Sequence, residues 1–478
     1  MVAATFVPTV TAEAAARSST PSTYVVLYHV GSSASAAQAV QRFQGSVIAN
    51  YPKIGVVVVR SSNGKFASSI KSASGIDDAA ATADFGIALP ASQSAAGPLP
   101  DSIPATDSDT LSGRQWDMVQ IHTPQAHAIS GGSPSVVVGD IDTGLDFTHP
   151  DLAPNYDAAD STDCTSGAPA PLLPGNDANG HGTHTAGTIA AASNGTGIVG
   201  VAPNVRIAGI KAGNNDGYFF PEAVICAFVW AGDHGIDVTN NSYFADPWLF
   251  NCRNDAGQRA IWNAERRAIG YAQSTGTVVV AAEGNESTDL SHPTVDTISP
   301  DYPPNSAQER NITNACAVVP VEVPGVIGVT ATGNLQLKSF YSSYGISTAD
   351  VAAPGGDSTQ ITAAAPNGRV LSTYPAAPPC MRPVTDPGTG AKYCYLQGTS
   401  MASPHVAGIA ALVISQSGLT GQAAAAAVQR ATNPLPCPDD ALYAPFPQNS
   451  GAPQHCSGGT ASNSFYGSGE VDALKAVS

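Results

Sequence analysis

Six apolar runs alternate with four helical stretches between Ser135 and Gln416, and this alternation constrains the fold more than any other feature of the chain. The runs predict strands at Ser135–Asp142, Val205–Lys211, Asp237–Ser242, Thr277–Ala282, Val326–Ala331 and Asp350–Ala353. The spacing between them predicts helices near His181–Ala192, Pro221–His234, Ala256–Ser274 and Ser400–Gln416. Continuous apolar strands are buried on both faces, and strands that alternate with helices pair in parallel. The expected fold is therefore α/β, a mostly parallel doubly wound sheet with helices on both faces. Ligands of such sheets bind beyond the carboxyl ends of the strands. Asp142, Ser242 and Asn285 all fall at predicted strand C-ends, which points to one shared site.

Ahead of this body, residues 22–84 read as a separate small unit. Tyr24–Tyr28, Ser46–Ala49 and Ile54–Val59 are strand-like, Ala34–Phe43 and Lys65–Ala73 are helical, and an extended piece follows near Ile76. The order βαββαβ is the ferredoxin-like pattern. Residues 85–113 are rich in Ala, Ser, Pro and Asp and have no periodicity, so they read as an exposed, cleavable linker. Residues 1–21 carry a short apolar run and an Ala-Glu-Ala stretch, without a basic start. They read as the tail of a secretory signal or as a disordered N-terminus. The net charge of −17 argues against nucleic acid as a partner. No apolar run reaches transmembrane length.

Three segments carry chemistry. Val136-Val137-Val138-Gly139-Asp140-Ile141-Asp142-Thr143-Gly144 is a buried strand ending on an acid. Asn179-Gly180-His181-Gly182-Thr183-His184 is a glycine-flanked histidine opening a helix. Gly398-Thr399-Ser400-Met401-Ala402-Ser403-Pro404-His405 places a serine at a sharp helix entry. Acid, histidine, serine is one of the known chain orders of a hydrolytic triad. In motif and order, over roughly residues 115–435, the chain resembles the subtilase family of serine peptidases.

The resemblance implies a catalytic domain at 114–435 with Ser400 as nucleophile, His181 as base and Asp142 as its partner. Asn285, in Ala281-Ala282-Glu283-Gly284-Asn285, would supply one oxyanion donor and the Ser400 backbone N–H another. His184 reads as a packed structural histidine. Asp140 can share the face of Asp142 but reads first as a polar residue of the strand. Glu283 stands where the family has a small residue; it either raises the histidine's pKa or turns away into a polar pocket. Ser242, Tyr243, Phe244 and Gly284 fall in segments that line the family's substrate cleft. Phe244 and Ala245 replace glycines there, so bulk is expected to reshape the primary pocket. The loop Asp246–Arg253 either meets substrate or simply packs.

The family resemblance further makes residues 22–84 a propeptide, an intramolecular inhibitor removed by a cut in the linker. It also implies a structural calcium ion, held by Asp151, the Asn194 side chain and the carbonyls of Ala192, Thr196 and Ile198. No cofactor is expected for catalysis. Eight cysteines without metal-ligand spacing favour disulfides and an oxidising compartment. Cys380–Cys394 and Cys437–Cys456 close short loops, the second within a C-terminal extension at 436–478. Cys252–Cys316 and Cys164–Cys226 are assigned to what remains. The whole reads as a secreted, monomeric serine endopeptidase made as a zymogen and acting on proteins or peptides. A dedicated processing peptidase and a non-catalytic binding protein are the alternatives; no triad residue is lost, which weighs against the latter.

Overall fold

The computed structural model describes residues 21–82 and 107–478. The expected N-terminal signal remnant, except its last residue, and most of the expected linker therefore lie outside the described residues. The N-terminal unit contains β1 (Ser22–Tyr28), α1 (Ser33–Arg42), β2 (Ser46–Tyr51), β3 (Val56–Ser61), α2 (Phe66–Ile70) and β4 (Ile76–Ala81). Its antiparallel sheet runs β2-β3-β1-β4. Tyr24, Val26 and Tyr28 alternate along β1 into a core with Phe66 and Ile70, as the two-residue period of a strand requires.

The large domain is built on a nine-stranded sheet. Its strands are β5 (Val137–Asp142), β6 (Thr162–Asp163), β7 (Arg206–Lys211), β8 (Val238–Asn241), β9 (Val278–Ala282), β10 (Ile327–Thr332), β11 (Val351–Pro354), β15 (Thr432–Asn433) and β16 (Glu470–Val471). The numbers left free are the hairpin strands β12 (Val370–Tyr374), β13 (Pro383–Thr385) and β14 (Lys392–Leu396). The sheet order is β15-β16-β11-β10-β9-β8-β5-β7-β6, and only β15 runs antiparallel to its neighbour. All six residues of β5 are buried, which is why this strand reads as a continuous apolar run broken only by its acids and Gly139.

Two short helices, Trp116–Gln120 and Thr123–His127, precede the sheet, and the helices that follow are α3 (His181–Ala190), α4 (Pro221–His234), α5 (Ala256–Ser274), α6 (Thr399–Ser417), α7 (Gly421–Arg430) and α8 (Ala473–Val477). Local chemistry fixes their ends. Pro221 starts α4 and Gly235, at φ 66°, stops it. Asp255 caps α5 by accepting from Gly257 N and Gln258 N, both at 2.9 Å. Helix α6 is buried from Thr399 through Ile414. Its small residues allow close approach: a Cβ on Gly408 would lie 2.6 Å from Val201 Cβ.

The segment expected as an extension past 435 returns to the sheet. Strand β16 pairs with β11 in parallel, and α8 packs on α6. Residues 107–113, expected as linker, are likewise tied down. Asp107 pairs with His127, and Leu111 and Ser112 are buried.

The N-terminal unit sits on α4 and α5. Val25, Leu27, Val56 and Val58 share one buried cluster with Phe228 and Trp262. Arg267 donates to the carbonyls of Tyr28 and Gly55 at 3.2 and 3.1 Å and pairs with Asp77 at 2.9 Å. All four expected disulfides are present: Cys164–Cys226, Cys252–Cys316, Cys380–Cys394 and Cys437–Cys456. No single helix among the described residues is long and apolar enough to cross a membrane.

Candidate active site

Strand β5 delivers Asp142 at its carboxyl end, and α3 begins on His181. His181 Nδ1 lies 2.8 Å from Asp142 Oδ1, and both residues are buried. Thr143 N–H donates to the same oxygen at 2.7 Å, which leaves His181 Nε2 as the nitrogen free for chemistry. A second carboxylate, Asp177, was not singled out in the sequence. It accepts from Gly180 N at 2.8 Å, Thr183 N at 2.9 Å and Thr143 Oγ1 at 2.9 Å. It thereby satisfies amides at the start of α3 and holds that helix to the loop after β5. An acid just ahead of a glycine-flanked helix start is the signal that marks it. Gly182 permits the close approach, because a Cβ there would lie 2.1 Å from Gly144 O.

Burial alone would lower the pKa of His181. The charge of Asp142, its hydrogen bond, and the more distant Asp177 outweigh burial and raise it above the ordinary 6.5. His184 behaves differently. Buried, with Nε2 3.0 Å from Cys394 O, it is pushed down to about 3 and stays neutral. It packs, as expected.

Ser400 is the second residue of α6, so its N–H is one of the first four of the helix and has no intrahelical acceptor. Pro404 shapes its surroundings. A proline four residues on has no N–H to give to the Ser400 carbonyl. That carbonyl instead accepts from Ser242 Oγ at 3.1 Å, and Ser400 Oγ donates back to Ser242 O at 3.2 Å. The two segments are thus reciprocally clasped. Asn285 follows β9. Its Oδ1 accepts from Thr399 N at 2.9 Å and Thr399 Oγ1 at 3.0 Å. The amide's NH₂ end is therefore turned away from these donors and left available. Gly284 N–H donates to Thr399 Oγ1 at 3.2 Å.

Tyr243 and Phe244 are both buried. Tyr243 stacks on Phe219 with ring centroids 4.1 Å apart, and its hydroxyl donates to Asn241 Oδ1. Side chains at 243 and 244 thus fill this corner of the fold. Leu249 and Phe250 are also buried, and Trp248 lies under the Arg310 guanidinium. The loop Asp246–Arg253 packs inward. Glu283 is fully buried among Thr348, Glu322 and Asp350 and is not among the groups that act on His181; burial followed by the charge of Glu322 pushes it well above the usual carboxylate range.

Around the expected calcium loop, Asp151 Oδ2 accepts from Ile198 N at 3.0 Å and Tyr393 OH at 2.8 Å, while the buried Oδ1 has no partner. Asp109 joins it from the chain ahead, accepting from Asn194 N at 2.9 Å. Asn194 Oδ1 accepts from Thr196 N. Gln115, beside this loop, is engaged with Val199 through both ends of its amide. Among the described residues no group of three or more His, Cys, Asp and Glu side chains is placed to hold a metal. Two converging carboxylates with an unpartnered buried oxygen fit a calcium ion completed by amide and backbone oxygens.

A parallel α/β sheet with an acid–histidine pair and a helix-mouth serine at its carboxyl edge has the layout of a serine hydrolase. Comparison with known proteins narrows this. The sequence profile of the subtilase family matches residues 133–469, and the chain belongs to that family. It is a serine-type endopeptidase by that membership. It is 33% identical to thermitase of Thermoactinomyces vulgaris over 311 residues, covering 64% of this chain and 84% of thermitase. It is 31% identical to subtilisin DY of Bacillus licheniformis, covering 63% and 83% of the two chains. With a thermophilic serine proteinase of Bacillus sp. strain AK1 it shares 32% identity over 65% of this chain and 60% of the relative. The crystal structure of the epidermin leader peptide processing serine protease of Staphylococcus aureus has the same fold over 96% of this chain and 98% of that one. Its TM-score is 0.68, at 22% identity.

Proposed function

We propose that this chain is a secreted subtilase made as a zymogen, hydrolysing peptide bonds through Asp142, His181 and Ser400. The observation that carries the reading is the buried His181–Asp142 pair, on a helix that packs against the helix opening with Ser400. In the resting site the Ser400 hydroxyl rests on the Ser242 carbonyl. For reaction it turns to His181 Nε2, gives up its proton there, and its oxygen attacks the substrate carbonyl carbon. Asn285 Nδ2 and Ser400 N–H receive the oxyanion. As the C–N bond breaks, His181 returns the proton to the departing amine, leaving an acyl group on Ser400. Water, giving a proton to His181, then attacks the acyl carbon; as the bond to Ser400 Oγ breaks, His181 returns that proton to Oγ and the acid product leaves. Asp142 holds the tautomer throughout and stabilises the imidazolium.

The pH profile tests this assignment. Only neutral His181 accepts the serine proton, so activity is present above its pKa and lost as pH falls through it. Because Asp142 raises that pKa, the acid limb of kcat/KM is expected above pH 6.5. A profile that peaks near pH 4 would instead indicate paired carboxylates. Asn285→Ala should leave the fold intact and raise the barrier by about 2.7–4 kcal/mol, a magnitude taken over from subtilisin. Thr399, which pins the amide, would then lose its acceptor; kcat read against unchanged KM checks the effect.

The N-terminal unit is read as the propeptide, with the maturation cut between residues 83 and 106. The support is that residues 107–115 are packed into the catalytic domain, while the small unit has a core of its own and lies on α4 and α5 through its other sheet face. Calcium would be held by Asp151, Asn194, Asp109 and the carbonyls of Ala192, Thr196 and Ile198, bracing the loop after α3. A chelator is then expected to shorten the half-life at elevated temperature; an unchanged half-life would mean that no ion braces the loop. The four disulfides support an extracellular location. Substrate breadth separates a general endopeptidase from a dedicated processing enzyme. Buried Tyr243 and Phe244 favour a restricted pocket, and digestion of casein to many fragments would count against the narrower reading.

A further inference from the structure

A second buried carboxyl lies one strand period behind Asp142. Asp140 and Asp142 share a face of β5, and both are buried. Asp140 reaches two other elements. Asn240 Nδ2, on β8, donates to Asp140 Oδ1 at 2.8 Å, and Asp140 Oδ2 lies 2.7 Å from Thr185 Oγ1, one turn after His181 on α3. The chain continues from Asn240. Ser403 Oγ, on α6, donates to Asn240 Oδ1 at 2.7 Å, and Ser242 Oγ lies 3.2 Å from Asn240 Nδ2 while donating to Ser400 O. One buried run of hydrogen bonds therefore joins the helix of the histidine to the helix of the serine, and Asp140 is its middle link.

The proton count locates a hydrogen on that link. Thr185 Oγ1 lies 2.7 Å from Asp140 Oδ2, 3.0 Å from Gly182 O and 3.4 Å from His181 O. These are three acceptors, and a hydroxyl has one proton. With a proton on Asp140 Oδ2, that oxygen donates to Thr185 Oγ1, and Thr185 donates to Gly182 O. The two shorter contacts then each have a donor and an acceptor, and the 3.4 Å approach to His181 O is left without a hydrogen. An ionised Asp140 would instead add a second charge beside Asp142 with one histidine between them. We propose that Asp140 is a positioning residue, held as the neutral acid, whose carboxyl keeps His181 and Ser400 in reacting register. Burial first, and the charge of Asp142 second, act in the same direction by pushing Asp140 well above the usual carboxylate range.

The titratable groups around it are few. Asp142 lies on its own strand and His181 on α3. On β7, Lys211 turns its ammonium to the Thr143 carbonyl. The neighbours on β8 and α6 are Asn240 and Ser403, which do not titrate. A neutral Asp140 leaves Asp142 and Asp177 as the charges that act on His181.

This inference rests on the triad reading, and its test is separable from the test of that reading. Steady-state pH profiles are measured on the full chain after maturation, with active sites counted by a fluorophosphonate titration so that kcat refers to competent enzyme. If wild type does not titrate, the triad reading fails; the Asp140 variants are compared only on enzyme that does. Asp140→Asn supplies a carboxamide that can donate to Thr185 and accept from Asn240, as the neutral acid does. Its kcat/KM is expected within about threefold of wild type, with the acid limb unmoved. Asp140→Val cuts the link, and kcat should fall about 10–100-fold with KM and the acid limb unchanged. Thr185→Val cuts the same link from the helix side and should match that loss. The two substitutions together should cost no more than one alone. An acid limb that moves to lower pH in Asp140→Asn would show that Asp140 carries charge, and would overturn the proposal. So would Asp140→Val or Thr185→Val with wild-type kcat, or an Asp140→Asn enzyme as impaired as the cut variants. If Asp140→Val does not fold, Asp140→Asn and Thr185→Val decide the question by themselves.

Discussion

Ser400→Ala is expected to abolish peptide hydrolysis and to leave the chain uncut. Removal of the nucleophile in subtilisin lowers kcat by about 10⁶-fold, and the same scale applies here. The substitution removes one hydroxyl, which in the resting site donates to the Ser242 carbonyl. The Ser400 carbonyl keeps its bond from Ser242 Oγ, so the clasp between the two segments survives and the fold should too. On the zymogen reading proposed above, maturation would depend on the same nucleophile. Wild type should begin between residues 83 and 106 by N-terminal sequencing, whereas the variant should retain β1 to β4. Maturation of purified Ser400→Ala at the wild-type position, in a reaction free of other proteases, would rule out Ser400 as the processing nucleophile.

Asp142→Asn is the second large effect, and its form is specific to this site. The Thr143 N–H already donates to Asp142 Oδ1, beside His181 Nδ1. An asparagine would keep its oxygen on those two donors and place its NH₂ where Oδ2 now lies unpartnered. The tautomer of His181 would then survive, and what is lost is the negative charge that stabilises the imidazolium. The expected fall in kcat is about 10²–10⁴-fold, the upper end being the cost when the tautomer is lost as well. The acid limb should also move to lower pH, because the main group raising the His181 pKa is gone. A large loss of rate with an unmoved limb would mean that Asp142 does not act through the charge of His181.

Much of this site was legible in the sequence because its residues sit at element ends that carry their own signals. Helices Pro221–His234 and Ala256–Ser274 lie where the spacing placed them, since Pro221, Gly235 and Asp255 punctuate them locally. Asp142, His181 and Ser400 stand out in the sequence because each opens or closes such an element. Other features depend on partners far away in the chain. Helix Gly421–Arg430 was not predicted, because five of its ten residues are consecutive alanines that carry little periodic contrast. Strand Glu470–Val471 is two residues long and exists only because β11 offers it an edge. The direction of Phe244, the inward packing of the loop around Trp248 and the role of Asp109 follow from packing that no local pattern records. Asp177 carries a local signal, as an acid just ahead of a helix start, but its bond from Thr143 joins segments 34 residues apart.

The central claim is that Ser400 is the one activated hydroxyl of the chain, and covalent labelling tests it most directly. The matured protein is treated with a fluorophosphonate at neutral pH, its intact mass is recorded, and the adduct is mapped by peptide sequencing. The account predicts a single phosphonyl group, on Ser400, with complete loss of activity and no labelling of protein whose His181 is replaced by alanine. An adduct on any other residue, or full activity after Ser400 is modified, would contradict it.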